Sequence, residues 1–310
     1  MIRPKVSIIT VVYNLIKNNR KMTFLRMLES VKSQNYGNIE HIIIDGNSND
    51  GTKKFLKNLG LDFFSKNDDG IYDAMNNGIK KSTGKYIIFL NSDDYFFNEN
   101  SIKTSVSHLL KSGADFSFGK TKYFDENGNI INGIFQENPD VKNLFLTMPY
   151  SHQSMMIKSD ILKDYLFDKT YKIVADFDLT LKLFIDRKKY IYIPEYIVNF
   201  QIGGTSSNIE NVHFETIKLY KNLFKKIGIN LTNNEIFQIE YTKKIPHSIA
   251  KILCKKVGFK INQKLCYPAV KSKNISILKF LNFQIFKGEN FMDFYIFNLI
   301  KILSIRWKNC

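Results

Sequence analysis

Cysteine is nearly absent from this chain. Cys254, Cys266 and Cys310 make an odd set of three with no CxxC pair, which argues against a disulfide framework or a zinc site. Six prolines and 16 glycines in 310 residues exclude collagen-like and low-complexity architectures. No run reaches 18 apolar residues; the nearest, 291–305, is broken by Asp293, Asn298 and Lys301, so no transmembrane span is expected. The apolar run Val6–Val12 is short and has no small-residue cleavage site after it, so it reads as a buried strand and not as a signal peptide. Only five of the 45 cations are arginine. Base-reading and bidentate phosphate sites favour arginine, so sequence-specific DNA binding loses ground. Phosphate loops are missing too, with no GxGxxG after the first strand and no GxxxxGK[ST] anywhere, which disfavours dinucleotide-binding and P-loop chemistry.

What is present is apolar mass and a lopsided charge. Hydrophobic residues make 44% of the chain, with 26 Phe and 16 Tyr, enough for a real core and too much for wholesale disorder. The formal net charge is +16, which by itself invites a nucleic-acid or anionic-membrane partner. Its distribution narrows that reading. Residues 1–240 carry 31 Lys+Arg against 27 Asp+Glu, whereas residues 241–310 carry 14 against two, Glu289 and Asp293. The length fits one large domain with an appendage, or two domains.

Strand and helix signals alternate over the first hundred residues. Val6–Tyr13, Glu40–Asp45, Leu61–Ser65 and Lys85–Leu90 read as buried strands, being continuous and rich in β-branched residues. Arg20–Gln34 and Ile71–Lys81 have helical spacing, and a further helix comes after the turn-rich segment 46–52. Polar clusters stand directly after the strands, a pattern that predicts an open α/β sheet with its ligand at the carboxyl ends. Beyond residue 114 the texture changes. Residues 115–123 and 129–135 flank an Asp125–Gly128 turn as a hairpin. Met155–Ile157 reads as a strand, Asp176–Asp186 as an amphipathic helix, Tyr190–Phe200 as β-rich, and Gln201–Ser207 as a loop. Helices are expected over 209–227, 247–256 and 291–305.

Three positions stand out chemically. Asp93-Asp94 ends an apolar strand, where two adjacent carboxylates repel each other and lose solvation. Such a pair suits Mg2+ or Mn2+, with a nucleotide diphosphate completing the ligands; a polar turn capping the next helix is the alternative. Asp45 either starts a turn and caps the next helix or accepts hydrogen bonds from a base or ribose. The Tyr13 ring either stacks on a nucleobase or packs.

The segments VSIITVVYN, HIIIDGNSNDGT, SKNDDGIYDAMNNGIKKSTGKYIIFLNSDD, SHQS, ADFDL and IGGTSS occur in that order. Together they closely resemble family 2 glycosyltransferases of the GT-A fold, most of all bacterial enzymes of cell-surface polysaccharide assembly, over roughly residues 4–207. The resemblance implies a Rossmann-like open mixed sheet flanked by helices, with a basic helical C-terminal extension after it. It divides the chain into a catalytic domain, 1–230, with a nucleotide-sugar half to about 114 and an acceptor half from 115, and a tail, 231–310. It also implies roles. Thr10, Tyr13 and Asp45 would hold the nucleobase and ribose of a nucleotide-sugar, UDP-linked by that pattern. Asp73 and Asn76 would lie on the donor side. Ser92, Asp93 and Asp94 match the DxD-type motif, with Asp94 as direct ligand of Mn2+ or Mg2+ and Asp93 on the ribose or a metal-bound water. Asn91 stands where the family often has Asp, which leaves open which carboxylate binds the ion. Asp176 matches the general base; Ala175 replaces a Glu common in relatives, so Asp178 is a rival. His152 and Gln153 match an acceptor- and diphosphate-side pair, His152 being otherwise a core histidine. Gly203–Ser206 matches a segment that closes over the donor.

Family members invert the anomeric centre by single displacement, which needs a base at the acceptor hydroxyl, in-line geometry and charge stabilisation of the leaving diphosphate. Processive relatives carry QxxRW and membrane spans. Here Arg306-Trp307 is present but Leu303 takes the Gln position, which favours transfer of one sugar at a time. The implied acceptor is a polyprenyl-diphosphate-linked or other glycan of O-antigen, capsule or exopolysaccharide assembly. Lys243, Lys244, Lys251, Lys255, Lys256 and Lys260 with Ile249, Ile252, Leu253 and Val257 read as an amphipathic basic helix for an anionic membrane, or as a solvated face packed on the catalytic domain. The expected setting is cytoplasmic, peripheral on the inner face of the membrane, with no nucleic-acid partner. Two rivals stay open: a nucleic-acid-binding protein using the basic tail, and a degenerate GT-A domain kept as an assembly partner.

Overall fold

The computed structural model describes residues 3–125, 128–131, 139–203 and 209–261, together with the backbone of strands at 271–272, 283–287, 291–296 and 300–306. The chain divides into two compact units, Met1–Val141 with Met148–Ile209, and Lys142–Thr147 with Glu210–Cys310. The division expected near residue 230 lies inside the second unit. Part of the reason is local: the Tyr220 hydroxyl, on helix Ile209–Lys226, donates to the Phe145 carbonyl at 2.9 Å, which ties residues 142–147 to that helix.

The first unit is built on one eight-stranded sheet. Its opening elements are β1 (Val6–Val12), α1 (Lys21–Lys32), β2 (Ile39–Asp45), α2 (Thr52–Asn58), β3 (Phe63–Ser65), α3 (Ile71–Lys81) and β4 (Tyr86–Phe89). Then come β5 (Tyr95–Phe96), α4 (Ser101–Ser112), β6 (Phe116–Phe124), β7 (Met156–Lys158), α5 (Ser159–Tyr165), α6 (Ala175–Ile185) and β8 (Tyr190–Gln201). The strand order is β3-β2-β1-β4-β7-β6-β8-β5. β1 to β4 run parallel, with Val12 opposite Asp45 and Asp45 opposite Ser65. Their carboxyl ends therefore line up along one edge. β7 runs antiparallel to β4, pairing Met156 with Ile88, so the residues just before Met156 arrive at that same edge.

Burial explains the strand composition. Val6, Ile8, Ile87 and Ile88 are fully buried, as expected for a sheet covered on both faces. Each such side chain contributes roughly 1.5–3 kcal/mol by leaving water. α3 sits very close to β1: a Cβ on Gly78 would lie 2.5 Å from Ile9 Cγ2, so only glycine admits this approach. The 115–135 hairpin reduces, among the described residues, to β6 and one bridge between Phe124 and Ile130; residues 132–138 lie outside the description.

The second unit contains α7 (Ile209–Lys226), α8 (Asn233–Thr242) and α9 (His247–Val257). α8 opens with a capping box between Thr232 and Glu235, which satisfies two orphan backbone donors. α9 matches the helix expected over 247–256, with Lys243, Lys244 and Lys260 outside it, and its apolar stripe is used internally: Ile249, Leu253 and Val257 are buried, while Ile252 is 43% exposed. The stripe is therefore not a membrane-facing surface. The helix expected over 291–305 is also replaced. Strands β9 (Lys271–Ser272), β10 (Phe283–Lys287), β11 (Phe291–Ile296) and β12 (Ile300–Arg306) form a four-stranded sheet, with β11 and β12 antiparallel. Aromatic and β-branched residues fill four of the six positions of β11, and isoleucines recur at 300, 302 and 305 in β12; these favour the pleated form.

Candidate active site

The edge formed by the ends of β1, β2, β3 and β4 gathers most of the residues singled out from the sequence. Tyr13 is 59% exposed there, while Asn14 turns the chain at φ +49° and Asn47 does the same after β2 at φ +59°. Asparagine tolerates this left-handed region better than other side chains. Asn14 N–H donates to Ser48 Oγ, and Asn49 N–H donates to Asn14 Oδ1, which locks the two loops together. Asp45 is fully buried. It accepts hydrogen bonds from Ser48 N–H and Ser65 Oγ–H, so the turn-starting role read from the sequence is realised.

Gly46 leaves a cradle between Tyr13 and Asp68, a residue of the SKNDDG segment to which the sequence pattern gave no role of its own. A Cβ at 46 would meet Asp68 Oδ2 at 2.7 Å and Tyr13 Cδ2 at 3.3 Å. Burial, together with the charges of Asp73, Asp45 and Asp69, raises the Asp68 carboxyl above its usual range. Thr10 lies elsewhere. Its side chain is fully buried toward α1 and β2, with the hydroxyl 3.0 Å from His41 Nε2 and 3.8 Å from Met27 Sδ.

The turn after β4 carries Asn91, Ser92, Asp93 and Asp94. Asp94 is buried, and its Oδ1 accepts the N–H of Gln201 at 2.9 Å. Its Oδ2 is buried without a hydrogen-bond partner, as is Asn91 Oδ1. Burial, and then the neighbouring Asp93 charge, raise the Asp94 carboxyl well above the ordinary range, against the opposing pull of Gln201 N–H, the Asn91 side chain and Arg20. A buried carboxylate with one oxygen unpartnered is costly, and a hard divalent cation is a ligand that relieves it. Among the described residues no three His, Cys, Asp or Glu side chains converge as a metal cage, so further ligands would have to come from a diphosphate or water. Asp93 is engaged differently, in an ion pair with Arg20 at 3.1 Å.

Arg26 ties this turn to the end of β8. Its guanidinium lies 4.5 Å from the Tyr95 ring centroid and 4.7 Å from that of Phe124. It also donates to Gln201 Oε1 at 3.1 Å and approaches the Asp93 carbonyl at 3.5 Å. A planar, stacked fork is a task lysine cannot copy. The signal was in the sequence: two of five arginines fall at 20 and 26.

His152 and Gln153 stand in a short 3-10 turn (His152–Ser154) ahead of β7 and are buried. The His152 ring lies 4.9 Å from Phe89 at the end of β4 and 5.6 Å from Phe167. Burial pushes it down to about 4, so it is neutral at physiological pH, and its Nε2 has no hydrogen-bond partner. Gln153 Oε1 accepts the Ser151 hydroxyl.

Asp176 opens α6, where the helix N-terminus favours negative charge. Burial nonetheless raises its carboxyl to about 6, against the hydrogen bonds from Phe177 N–H and the Tyr72 hydroxyl. Asp178, one residue beyond Phe177, is buried and paired with Lys182 at 2.5 Å. Tyr72 connects Asp176 to the rest of the site, since its ring lies 5.2 Å from that of Phe167, which lies 5.3 Å from Phe89.

The remaining donor-side residues flank a cavity of about 600 Å3 between α3 and the 166–172 segment. Asp73 accepts the N–H of Asp69 and pairs with Lys169 at 3.1 Å. Burial would raise its carboxyl, but these partners hold it below the usual range. Asn76 spends its amide on the backbone of Phe167. Gly203 is described, whereas Gly204–Ser206 lie outside the described residues.

Known proteins share this fold. The solved structure of S. aureus TarS 1-349 in complex with UDP-GlcNAc is similar at TM-score 0.58 and 18% identity, over 83% of this chain and 73% of that one. The mannosyltransferase PcManGT from Pyrobaculum calidifontis, in complex with GDP-Man and Mn2+, is similar at TM-score 0.56 and 14% identity, over 73% of this chain and 65% of that one. These likenesses carry the fold, which is GT-A. In sequence, an uncharacterized glycosyltransferase of Rickettsia bellii is 27% identical over 268 residues, covering 83% of this chain. The chain spans only 36% of that relative's length. A PGL/p-HBAD biosynthesis glycosyltransferase of Mycobacterium bovis is 25% identical over 60% of this chain and 75% of its own length. Residues 7–166 match the family model described as Glycosyl transferase family 2, a little over half of the sequence and all of the strand edge that carries Tyr13, Asp45, Asp94 and His152, so the chain belongs to glycosyl transferase family 2.

Proposed function

We propose that this protein is an inverting, metal-dependent glycosyltransferase that moves one sugar from a UDP-linked donor to a hydroxyl of a lipid-linked glycan acceptor, in the assembly of a cell-surface polysaccharide. The observation that carries this reading is the buried, unpartnered Oδ2 of Asp94, at the sheet edge that Asp176 reaches through Tyr72, Phe167 and Phe89. The family membership and the nucleotide-sugars in the neighbours' complexes support it.

In this reading Tyr13, Asp45, Asp68 and Gly46 hold the nucleoside. Asp94, with Asn91 beside it, would hold Mn2+ or Mg2+, and when bound the cation supplies Lewis-acid neutralisation of the leaving diphosphate. Ser92 and Asp93 line the same turn, with Arg20 fixing Asp93. His152, being neutral, can donate or accept at Nε2 toward the diphosphate or acceptor without adding charge. Asp176 is the base: a carboxyl near 6 is largely ionised at neutral pH yet basic enough to draw a proton from a hydroxyl. Asp178 is the weaker candidate because its carboxylate is already paired with Lys182.

The setting we propose is peripheral, on the inner face of the cytoplasmic membrane. No helix among the described residues is long and apolar enough to cross a membrane. With the α9 stripe buried, attraction to anionic lipid would rest on lysines such as Lys251 and Lys260, each contributing ~1 kcal/mol near the surface. Calorimetric titration of UDP into the full chain tests the donor site. Binding should require Mn2+ and should vanish in Asp94→Ala. A chain that binds no nucleotide or nucleotide-sugar under any metal condition would be the degenerate assembly partner instead.

A further inference from the structure

The GIYDAMNNG segment stands out in the sequence as a donor-side element, yet α3 turns two of its side chains toward the segment that leads to the candidate base. Tyr72 and Asn76 lie one turn apart, on one face of the helix. Asn76 grips the Phe167 backbone through both ends of its amide. Tyr72 packs its ring on Phe167 and reaches past it, so that its hydroxyl lies 2.5 Å from the Ile173 carbonyl and 3.1 Å from Asp176 Oδ1. Directly before the gripped Phe167, Leu166 sits at φ +48°, a conformation that persists in a non-glycine residue only where its surroundings over-determine it. The whole 166–176 segment is thus held from α3.

We propose that Tyr72 is a positioning residue for Asp176, its hydroxyl fixing the carboxylate and following its charge during proton transfer. The proposal rests on the reading of Asp176 as general base. Asp176 Oδ1 accepts both Phe177 N–H and Tyr72 O–H, and in this proposal the acceptor's proton goes to Oδ2. A phenol has one proton to give. While Asp176 is ionised, that proton is shared between the Ile173 carbonyl, the nearer acceptor at 2.5 Å, and the charged Oδ1 at 3.1 Å. As the acceptor O–H bond breaks and the Oδ2–H bond forms, the charge on Oδ1 falls and the Tyr72 proton turns to the Ile173 carbonyl. Meanwhile the acceptor oxygen bonds the anomeric carbon, and the diphosphate leaves with the electron pair of the broken C–O bond. Tyr72 ends the step with its own proton, so the balance closes on acceptor, donor and Asp176.

Donation to the charged form favours that form. Of the titratable groups around Asp176, Tyr72 faces it from α3, and Tyr150, ahead of β7, is close enough to feel its charge. On α6 itself Asp178 is paired with Lys182. Removing the Tyr72 hydroxyl should therefore make Asp176 harder to ionise. A residue that only filled space would change stability and leave the pH profile in place.

The test is the pH dependence of UDP-sugar turnover by the full chain with Mn2+, for wild type, Tyr72→Phe, 3-fluorotyrosine at position 72, and Asp176→Asn. In Tyr72→Phe the acid limb should move up by roughly half to one pH unit, and kcat should fall about tenfold with the donor KM within about twofold. Fluorotyrosine, nearly isosteric and a stronger donor, should move the limb down, and decides the matter alone if the phenylalanine variant fails to fold. An acid limb that stays in place in these variants while Asp176→Asn is inactive overturns the proposal. Wild-type turnover by Asp176→Asn overturns instead the reading on which it rests.

Discussion

The side-chain amide of Asn76 and the backbone of Phe167 exchange two hydrogen bonds, Nδ2–H to the Phe167 carbonyl at 2.9 Å and Phe167 N–H to Oδ1 at 2.8 Å, across 91 residues of sequence. Both groups are buried, so neither bond can be replaced by water. Asn76→Asp keeps the acceptor but sets a carboxylate oxygen against a carbonyl. It should cost about 1–3 kcal/mol, measured as a lower urea midpoint with an unchanged slope. Because the clamp fixes the segment leading to Asp176, turnover should fall as well. A variant as stable as wild type would show that the clamp is not formed.

Asp94 should behave in the opposite way. In the metal-free protein its carboxylate is buried, raised by burial and by Asp93, and unpartnered at Oδ2. Asp94→Asn removes the buried charge and should stabilise the metal-free fold by roughly 1–2 kcal/mol, while calorimetry shows Mn2+ binding lost. The pH dependence has a definite sign. A carboxyl raised in the folded state binds its proton more tightly there than in the unfolded chain. Metal-free protein should therefore gain stability as pH falls through the raised folded value toward about 3.9, the ordinary aspartate value. Mn2+ should bind more weakly over the same interval. Loss of stability in metal-free Asp94→Asn would contradict this.

The two acids of α6 should separate cleanly. Asp176→Asn should reduce kcat by roughly 10^2–10^4, and the wild-type rate should rise with pH through about 6. Asp178→Asn breaks the pair with Lys182 and should chiefly lower stability. Abolished turnover in Asp178→Asn, with Asp176→Asn unaffected, would assign the base to Asp178.

Arg26 offers a test of the turn's support. Lysine in its place keeps the charge and loses the flat fork between Tyr95 and Phe124. Arg26→Lys should weaken Mn2+ binding about fivefold to tenfold, as the Asp93–Asp94 turn loses the guanidinium that links the Asp93 carbonyl to the Gln201 side chain. Unchanged Mn2+ affinity would make Arg26 a packing residue only.

Much of the parallel sheet and its binding edge was legible because buried parallel strands are continuous apolar runs that end abruptly in polar residues, as at Asp45 and Asn91. Orientation was not legible. A strand buried on both faces has no polar side to set its phase, so nothing in VSIITVV showed that Thr10 points toward His41 and away from the edge. The clamp made by Asn76, which the sequence pattern marked only as a donor-side residue, was hidden for another reason: its partner is backbone, which leaves no trace in residue type. α4 gave little signal, because SIKTSVSHLLKS mixes serines and β-branched residues through its apolar positions. In the tail, the same apolar residues fit a helix or a strand by count, and pairing between β11 and β12 decided it. The burial of the α9 stripe depended on neighbours that a single helical pattern cannot reveal.

The most direct test of sugar transfer is a donor screen. The full chain is incubated with UDP-, GDP-, CDP- and dTDP-sugars, with and without Mn2+, and nucleotide release is monitored. The account predicts Mn2+-dependent release of UDP from a UDP-sugar, absent in Asp94→Ala and in Asp176→Asn. Release from no donor, or release that persists at full rate in both variants, would contradict it.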